Sequence, residues 1–143
     1  MSVLFRFAAC LSAAALLLFG PGRIASAGEK VNPIVAQVKA GLKDPTKPFT
    51  LIVRLQTKED AGAKFEAAFA KAVGPTRKEK GCLVYQLDRD TKKPGAYLVY
   101  ERWQNLAALE AHLQSPHITN LLAAIGSLLD GAPDFQILVP AGE

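Results

Sequence analysis

The sequence predicts an α+β fold of the ferredoxin-like βαββαβ type, in which helices cover one face of an antiparallel sheet. Three observations predict it. Segments with alternating apolar residues recur four times in the 143 residues, and amphipathic segments separate the first from the second and the third from the fourth. The turn-forming run DTKKPG joins the middle two segments as a hairpin. Right-handed crossovers then place both helical segments on one side of the sheet.

The segment 1–27 is expected to be a secretory signal peptide. Arg6 is followed by the apolar run FAACLSAAALLLFG, and Ala25-Ser26-Ala27 has the small residues of a cleavage site. A short membrane anchor is the alternative, but the run falls short of the roughly 20 apolar residues that a span needs. We therefore expect a periplasmic or secreted protein with no stable membrane anchor after cleavage. Residues 28–48 are expected to form a linker with a short helix from Pro33.

Charge and cysteine content narrow the function classes. Loss of Arg6 and Arg23 with the signal lowers the formal net charge from +4 to +2, and this mild balance argues against a nucleic-acid partner. Cys10 leaves with the same segment, so Cys82 is expected to be a buried, unreactive thiol, with a free reactive thiol as the alternative. The remaining chain has no phosphate-binding glycine loop, serine elbow or CxxC motif.

The domain is expected over residues 49–140. Its first strand is predicted in FTLIVRLQT, from Phe49 to Thr57, where apolar residues nearly alternate. A helix is predicted from about Lys58 to Lys80, with a kink at Gly74-Pro75. Thr57 precedes this helix in the N-cap position, and the acidic residues that follow it meet the positive end of the helix dipole.

The second half repeats the pattern with a hairpin. Strands are predicted in CLVYQLDRD and AYLVYERW, and Asn105 is a suitable N-cap for the helix LAALEAHLQ. Ser115-Pro116 interrupts this helix, which resumes and ends near Asp130-Gly131. The last strand is predicted in APDFQILVP, where alternate residues are apolar.

Both faces of the predicted sheet carry apolar residues. In the second strand Cys82 and Val84 are expected to face away from Leu83, Tyr85 and Leu87. The chain's own helices cover one face, so the other face needs a second cover. We predict a homodimer in which two copies of the sheet close a barrel.

Three motifs are distinctive in combination. They are Glu79-Lys80-Gly81-Cys82-Leu83-Val84-Tyr85, the strand Tyr97-Leu98-Val99-Tyr100-Glu101-Arg102-Trp103, and Ala108-Leu109 followed by His112, Ser115, Pro116 and His117. With these motifs the chain closely resembles the antibiotic biosynthesis monooxygenase domain family, over roughly residues 50–139. The resemblance implies a dimeric α+β barrel and, in several members, oxidation of a quinol or other electron-rich aromatic without metal, flavin or haem. Other members isomerise a sugar phosphate or degrade haem.

His112 is the predicted catalytic residue. It precedes Leu113 at the border of an apolar stripe, so its imidazole is expected beside the cleft between helix and sheet. An imidazole titrates near neutral pH and accepts a proton from a phenolic or quinol hydroxyl. A core-edge histidine bonded to backbone is the alternative.

Five further residues are predicted to bind substrate: Trp103, Tyr85, Glu101, His117 and Arg54. Trp103 would stack on a planar ring or belong to the core. Glu101 would orient His112, act as a base of raised pKa, or pair with a cation across the dimer. Tyr85 and His117 would contribute polar walls, and Arg54 would sit at a strand end, in an ion pair or on the substrate.

No metal site is expected, because His112 and His117 lack the third and fourth ligands that zinc requires. The predicted function is an exported monooxygenase of the quinol or anthrone type, acting on a small aromatic with dioxygen and without a cofactor. The apolar pocket would exclude water while His112 accepts a proton. Two alternatives remain: a non-catalytic dimer that binds a small hydrophobic or haem-like ligand, and an isomerase.

Overall fold

A computed structural model describes residues 32–142, which form a four-stranded antiparallel sheet packed against helices. The predicted signal peptide lies outside the described residues. In chain order the elements are helix α1 (Pro33–Gly41), strand β1 (Phe49–Gln56), helix α2 (Gly62–Thr76), strands β2 (Cys82–Arg89) and β3 (Ala96–Trp103), helices α3 (Leu106–Gln114) and α4 (Pro116–Ile125), a 3-10 turn (Gly126–Leu128) and strand β4 (Asp134–Leu138).

The sheet has the strand order β2-β3-β1-β4. Strand β1 pairs antiparallel with β3 on one side and with β4 on the other, and β2 pairs with β3. This order requires a helical crossover between β1 and β2 and a second one between β3 and β4. The predicted ferredoxin-like fold is therefore confirmed.

Helix α2 is shorter than the predicted span of 58–80. Thr57 does not cap it, because the Thr57 hydroxyl donates to the carbonyl oxygen of Gly95 at 3.3 Å. Asp60 has a positive φ of 59°, so the backbone cannot enter the helix before Gly62. Pro75 lies in the last turn, where the helix ends rather than kinks, and residues 77–81 form the turn into β2.

A β-bulge between Cys82 and Val84 corrects the predicted faces of β2. Cys82 pairs with Trp103, and Val84 pairs with Arg102, so the alternation is broken by one residue. Cys82 therefore lies on the helix-covered face with Tyr85, and not with Val84 as the strict period of two predicts. The bulge adjoins the turn that carries Glu79.

The core lies between the sheet and the helices. Its largest fully buried side chains include Trp103, Phe49, Phe65 and Leu109. Full burial of a large apolar side chain stabilises the folded state by roughly 1.5–3 kcal/mol. This layer is therefore the main source of stability. The opposite face of the sheet is mixed: the exposed apolar side chains Leu83, Val84 and Leu138 lie among charged ones. Within residues 32–142, no helix combines the length and apolar character needed to cross a membrane.

Candidate active site

A cavity of about 180 Å³ lies between the sheet and the helices. Its walls come from β1, β2, β3, β4, α1, α2, α3, α4 and the segment that precedes β4, and they are almost entirely apolar. Tyr85, Glu101 and His112 are the lining side chains that carry polar atoms. Few polar groups in an apolar cavity are typical of a small-molecule site, because each such group fixes the orientation of a ligand.

Helix α3 holds His112 in this wall. The side chain of Asn105 accepts a hydrogen bond from the Ala108 backbone N–H at 2.9 Å and so caps the helix. His112 is 3% exposed, and its ring centroid lies 4.6 Å from that of Trp103 and 5.4 Å from that of Tyr85. Aromatic rings on two sides restrict the imidazole to one orientation.

Glu79 fixes the proton of that imidazole. Nδ1 of His112 lies 2.8 Å from Glu79 Oε2, and a carboxylate only accepts, so we assign the donated proton to Nδ1. Burial lowers the pKa of His112, an effect that the nearby Glu79 opposes, and the contact is therefore a hydrogen bond to a neutral ring near pH 7. In this tautomer Nε2 carries a lone pair, and it has no hydrogen-bond partner among the side chains of residues 32–142.

The position of Glu79 depends on Gly81. Gly81 has a φ of +89°, and a Cβ built there would lie 2.6 Å from the Cβ of Ala108 in α3. The turn therefore approaches α3 more closely than a residue with a side chain permits. The Gly81 carbonyl also accepts the Gln104 N–H at 2.8 Å. Ala108 is one helical turn before His112, so the same approach brings Glu79 to the imidazole.

His117, at the start of α4, contacts the other oxygen of the same carboxylate. Its Nε2 lies 2.7 Å from Glu79 Oε1, but the angles are not those of a hydrogen bond, and Oε1 has no hydrogen-bond partner among the described residues. The Ser115 hydroxyl lies 3.3 Å from the same nitrogen. His117 is not among the cavity-lining residues, so the structure places it behind Glu79 rather than in the predicted polar wall.

Glu79, His112 and His117 bring one potential metal ligand each to within 4.8 Å of one another. Glu79 is a third potential ligand, which the prediction from the two histidines did not include. The Nδ1 proton of His112 nevertheless occupies the position that a metal would need, because it is donated to Glu79. Metal binding at this nitrogen would have to displace that proton.

Glu101 is the second ionisable group of the cavity. It is 7% exposed, and its Oε2 accepts the indole N–H of Trp103 at 2.9 Å. Burial raises the pKa of Glu101 to about 7, the Trp103 hydrogen bond opposes the rise, and the charge of Glu79 adds to it. Glu101 is bonded to Trp103 on the helix-covered face, and among the described residues Glu79, not Glu101, is hydrogen-bonded to the His112 ring. The pairing of Glu101 across a dimer stays a prediction.

The other predicted residues separate into lining and remote positions. Tyr85 lines the cavity, stacks on Phe69 with ring centroids 5.7 Å apart, and has a pKa raised by burial. Trp103 is fully buried and does not line the cavity; it holds Glu101 instead of offering a stacking surface. Cys82 is a free, half-buried thiol, and burial raises its pKa to about 11, which keeps it protonated at neutral pH.

Arg54 lies outside the site. Its guanidinium donates to Gln136 Oε1 at 2.9 Å and forms an ion pair with Asp134 at 3.6 Å. These residues pair across β1 and β4 on the face without helices. Of the open alternatives for Arg54, the structure favours the ion pair, and it does not bring Arg54 to the cavity.

Glu79 is a candidate site residue that the sequence analysis did not predict. The run from Thr76 to Lys80 has the charge pattern of a solvated helix end, and no local period marks one of its residues as buried. Its partner His112 is 33 residues away in the chain. The sequence feature that could have identified Glu79 is its place two residues before Gly81, in the motif that carries the family resemblance.

Comparisons with known proteins identify the family of this chain. Residues 48–124 match the family model described as antibiotic biosynthesis monooxygenase. A Mycobacterium tuberculosis protein named "Putative monooxygenase" is 33% identical over 68% of this chain and 96% of the relative. An Escherichia coli K12 protein named "Probable quinol monooxygenase" is 34% identical over 50% of this chain and 76% of the relative.

Solved structures extend the similarity to the fold. The structure of the Mycobacterium tuberculosis protein has a TM-score of 0.63 and 32% identity over 68% of this chain and 98% of that one. A Caulobacter crescentus protein named a "putative antibiotic biosynthesis monooxygenase" has a TM-score of 0.63 and 29% identity over 66% of this chain and 91% of that one.

Proposed function

Because this chain belongs to the antibiotic biosynthesis monooxygenase family, we propose that it oxidises a quinol or similar electron-rich aromatic with dioxygen in the cavity beside His112. One observation carries the proposal. Glu79 accepts the Nδ1 proton of His112 at 2.8 Å, and this leaves the lone pair of Nε2 available in an apolar cavity. A neutral, oriented imidazole next to a dry pocket is suited to accept a hydroxyl proton.

The reaction begins with proton transfer from a quinol hydroxyl to Nε2 of His112. The resulting quinolate is electron-rich and transfers electrons to dioxygen, and a carbon–oxygen bond forms at the ring. The His112 imidazolium returns its proton to the peroxide, the oxygen–oxygen bond breaks, and water leaves with the ring hydrogen. One quinol and one dioxygen therefore give one hydroxylated quinone and one water, with all electrons supplied by the substrate.

Two groups assist these steps. Glu79 stabilises the imidazolium that forms on His112, because a carboxylate 2.8 Å from Nδ1 favours the charged ring. Glu101, with a pKa of about 7, is partly protonated at neutral pH and in that form donates a hydrogen bond to an anionic substrate oxygen. The substrate carries the electrons, so we propose that no metal, flavin or haem takes part.

We also propose that two copies associate through the sheet face without helices. Exposed Val84 and Leu138 lie on that face, and half-exposed Leu98 and Tyr100 extend the apolar area between them. Burying this apolar area against a second copy would favour association, and the net gain is what remains after the entropy lost on association. Val84→Asp should then convert a dimer to a monomer in light scattering. A wild-type monomer at micromolar concentration would contradict the proposed dimer.

Export to the periplasm or exterior remains a proposal based on residues 1–27.

Oxygen uptake tests the proposed reaction. Purified protein treated with a chelator should consume one dioxygen per quinol above the buffer rate, and one atom of isotopically labelled dioxygen should appear in the quinone. Uptake that equals the buffer rate across a panel of quinols would favour the non-catalytic binder, and anaerobic conversion of a substrate would favour an isomerase.

A further inference from the structure

We infer that helix α1 restricts the cavity to single-ring aromatics and that Ile34 is the residue that sets this limit. The chemical class of the ring rests on the proposed function, whereas the size limit rests on the geometry alone. Helix α1 lies outside the residues that the family model matches.

Helix α1 is an addition to the family domain. The family model matches residues 48–124, whereas α1 spans Pro33–Gly41. The match to the Mycobacterium tuberculosis structure takes in 98% of that chain but 68% of this one. A wall built by α1 is therefore a property that distinguishes this chain from relatives composed of the domain alone.

The helix is fixed in place at both ends. Asn32 caps its start by accepting the Ile34 N–H at 2.9 Å, and Val38, which is 1% exposed, enters the core. At the far end a Cβ on Gly41 would lie 2.7 Å from Ile137 Cδ1, so the backbone packs directly on β4. The connection then returns to α3, where the Leu106 N–H donates to the Pro45 carbonyl at 2.9 Å. Such anchoring makes α1 a wall rather than a loose cover.

Ile34 is the α1 residue that reaches the cavity. It is half-buried and lines the cavity together with side chains of α4 and β4, among them Leu122 and Phe135. Its neighbours in sequence face elsewhere: Val35 is buried in the core, and Gln37 is exposed. A single side chain of the added helix therefore decides how far the cavity extends on this side.

The volume of the cavity sets the size class. The cavity measures about 180 Å³, close to the roughly 150 Å³ of an apolar cavity that binds benzene. One ring with its hydroxyl groups fills such a space, whereas a three-ring anthrone requires that a wall move. The close packing of Val38 and Gly41 opposes this movement. A one-ring quinol is thus the substrate that fits this volume without movement of a wall.

Binding of inert aromatic alcohols tests the limit without chemistry. Phenol, naphthol and anthrol are titrated anaerobically into the full-length protein and followed by NMR. Wild type should bind phenol most tightly. Ile34→Ala should improve naphthol binding relative to phenol about tenfold, since removing methylene groups from a pocket changes discrimination by 10–200-fold at about this scale. Ile34→Phe should weaken phenol binding about tenfold, and Gln37→Ala, on the exposed side of α1, should match wild type.

The outcomes separate the size limit from the proposed reaction. If the Ile34 variants leave the ring-size preference unchanged while quinols are oxidised, the inference is overturned and the reaction stands. If the preference shifts but no quinol consumes oxygen, the inference stands and the reaction is wrong. Folding is checked by circular dichroism. Should Ile34→Ala fail to fold, two other variants decide the matter: Ile34→Phe should weaken phenol binding, and the milder Ile34→Val should improve naphthol binding relative to phenol.

Discussion

The side chains of strand β3 lie in different surroundings on the two faces of the sheet. On β3 the side chains of Val99, Glu101 and Trp103 are buried under the helices, whereas Arg102 between them is exposed on the other face. Glu101 is held by an indole N–H and has a pKa raised by burial. The guanidinium of Arg54, on the open face, pairs with Asp134 in a solvated ion pair. Because side chains alternate along β3, the strand contributes to the cavity on the helix-covered face and to an exposed charged surface on the other face.

The difference shows where a charged group can act. A solvated ion pair such as that of Arg54 contributes little, typically about 0–1 kcal/mol, because water screens both partners. A group in the cavity has no such screening, so its protonation responds strongly to its neighbours. The helix-covered face is therefore where substitutions should change both rate and pH dependence.

Replacing His112 should produce the largest effect and separate the two faces most clearly. His112→Ala removes the proton acceptor, and quinol turnover should fall by about 100–10,000-fold. Arg54→Ala on the open face should leave turnover within about twofold, because Arg54 does not line the cavity and its ion pair with Asp134 contributes only about 0–1 kcal/mol. Oxygen uptake measures both, with thermal melts to confirm folding. Equal losses in the two variants would erase the proposed distinction.

Replacing Glu79 should have a smaller effect that is visible in the pH profile. Glu79→Gln keeps an acceptor for Nδ1 but removes the charge that raises the pKa of His112, so kcat/KM should fall about 10–100-fold. Burial already lowers that pKa below 6.5, and the acidic limb of kcat/KM should lie below this value in wild type. In the variant the limb should move to still lower pH. A limb that stays in place would contradict a role through His112.

Closing the gap at Gly81 should disturb the site through the backbone. Gly81→Ala combines a positive φ with a contact of 2.6 Å to Ala108, and we expect it to cost about 1–3 kcal/mol of unfolding free energy. Turnover should also fall as Glu79 moves away from His112. Gly74→Ala is the matched control, because no atom lies within 4 Å of a Cβ there and alanine favours a helix by up to about 1 kcal/mol. Denaturant melts compare the two, and equal stability would count against the close approach.

The buried Glu101 should leave a pH signature in stability. Its pKa in the folded state is about 7, above the ordinary value of 4.5, so between these values the folded protein binds more protons than the unfolded chain. Its contribution to stability therefore declines as pH rises, by up to about 1.4 kcal/mol per pH unit. Glu101→Gln should gain stability relative to wild type from pH 4.5 to 7 and stay level above this range. If the stability of the two proteins changes with pH in the same way, burial does not raise the pKa of Glu101.

Local patterns predicted the fold well because they reflect local physics. The bounds of β3 follow from alternation, and those of α3 follow from the Asn105 cap and the Ser115-Pro116 break. The prediction failed where a longer-range contact intervened. Thr57 bonds to Gly95 rather than capping α2, and the bulge at Cys82 shifts its side chain to the other face.

The site was predicted only in part for the same reason. His112 stood out because an imidazole titrates near neutral pH and because it lies at the edge of an apolar stripe, in a motif that carries the family resemblance. Glu79 did not, because charges at a helix end are ordinary until a turn folds one of them against α3. Arg54 was assigned a possible substrate contact from residue type alone, and the register of β1 and β4 places it on the other face. Tertiary packing decides which side chains meet at such positions. The two-residue repeat of a strand and the 3.6-residue repeat of a helix carry no information about that packing.

A double-mutant cycle between Glu79 and His112 tests the central claim most directly. The claim is that Glu79 acts by orienting and charging the His112 imidazole, so the two residues work as a unit. Oxygen uptake with a one-ring quinol is measured for wild type, Glu79→Gln, His112→Ala and the double variant. We predict that Glu79→Gln slows the wild type about 10–100-fold but leaves the His112→Ala protein unchanged. If the two losses multiply in the double variant, Glu79 does not act through His112 and the account is contradicted.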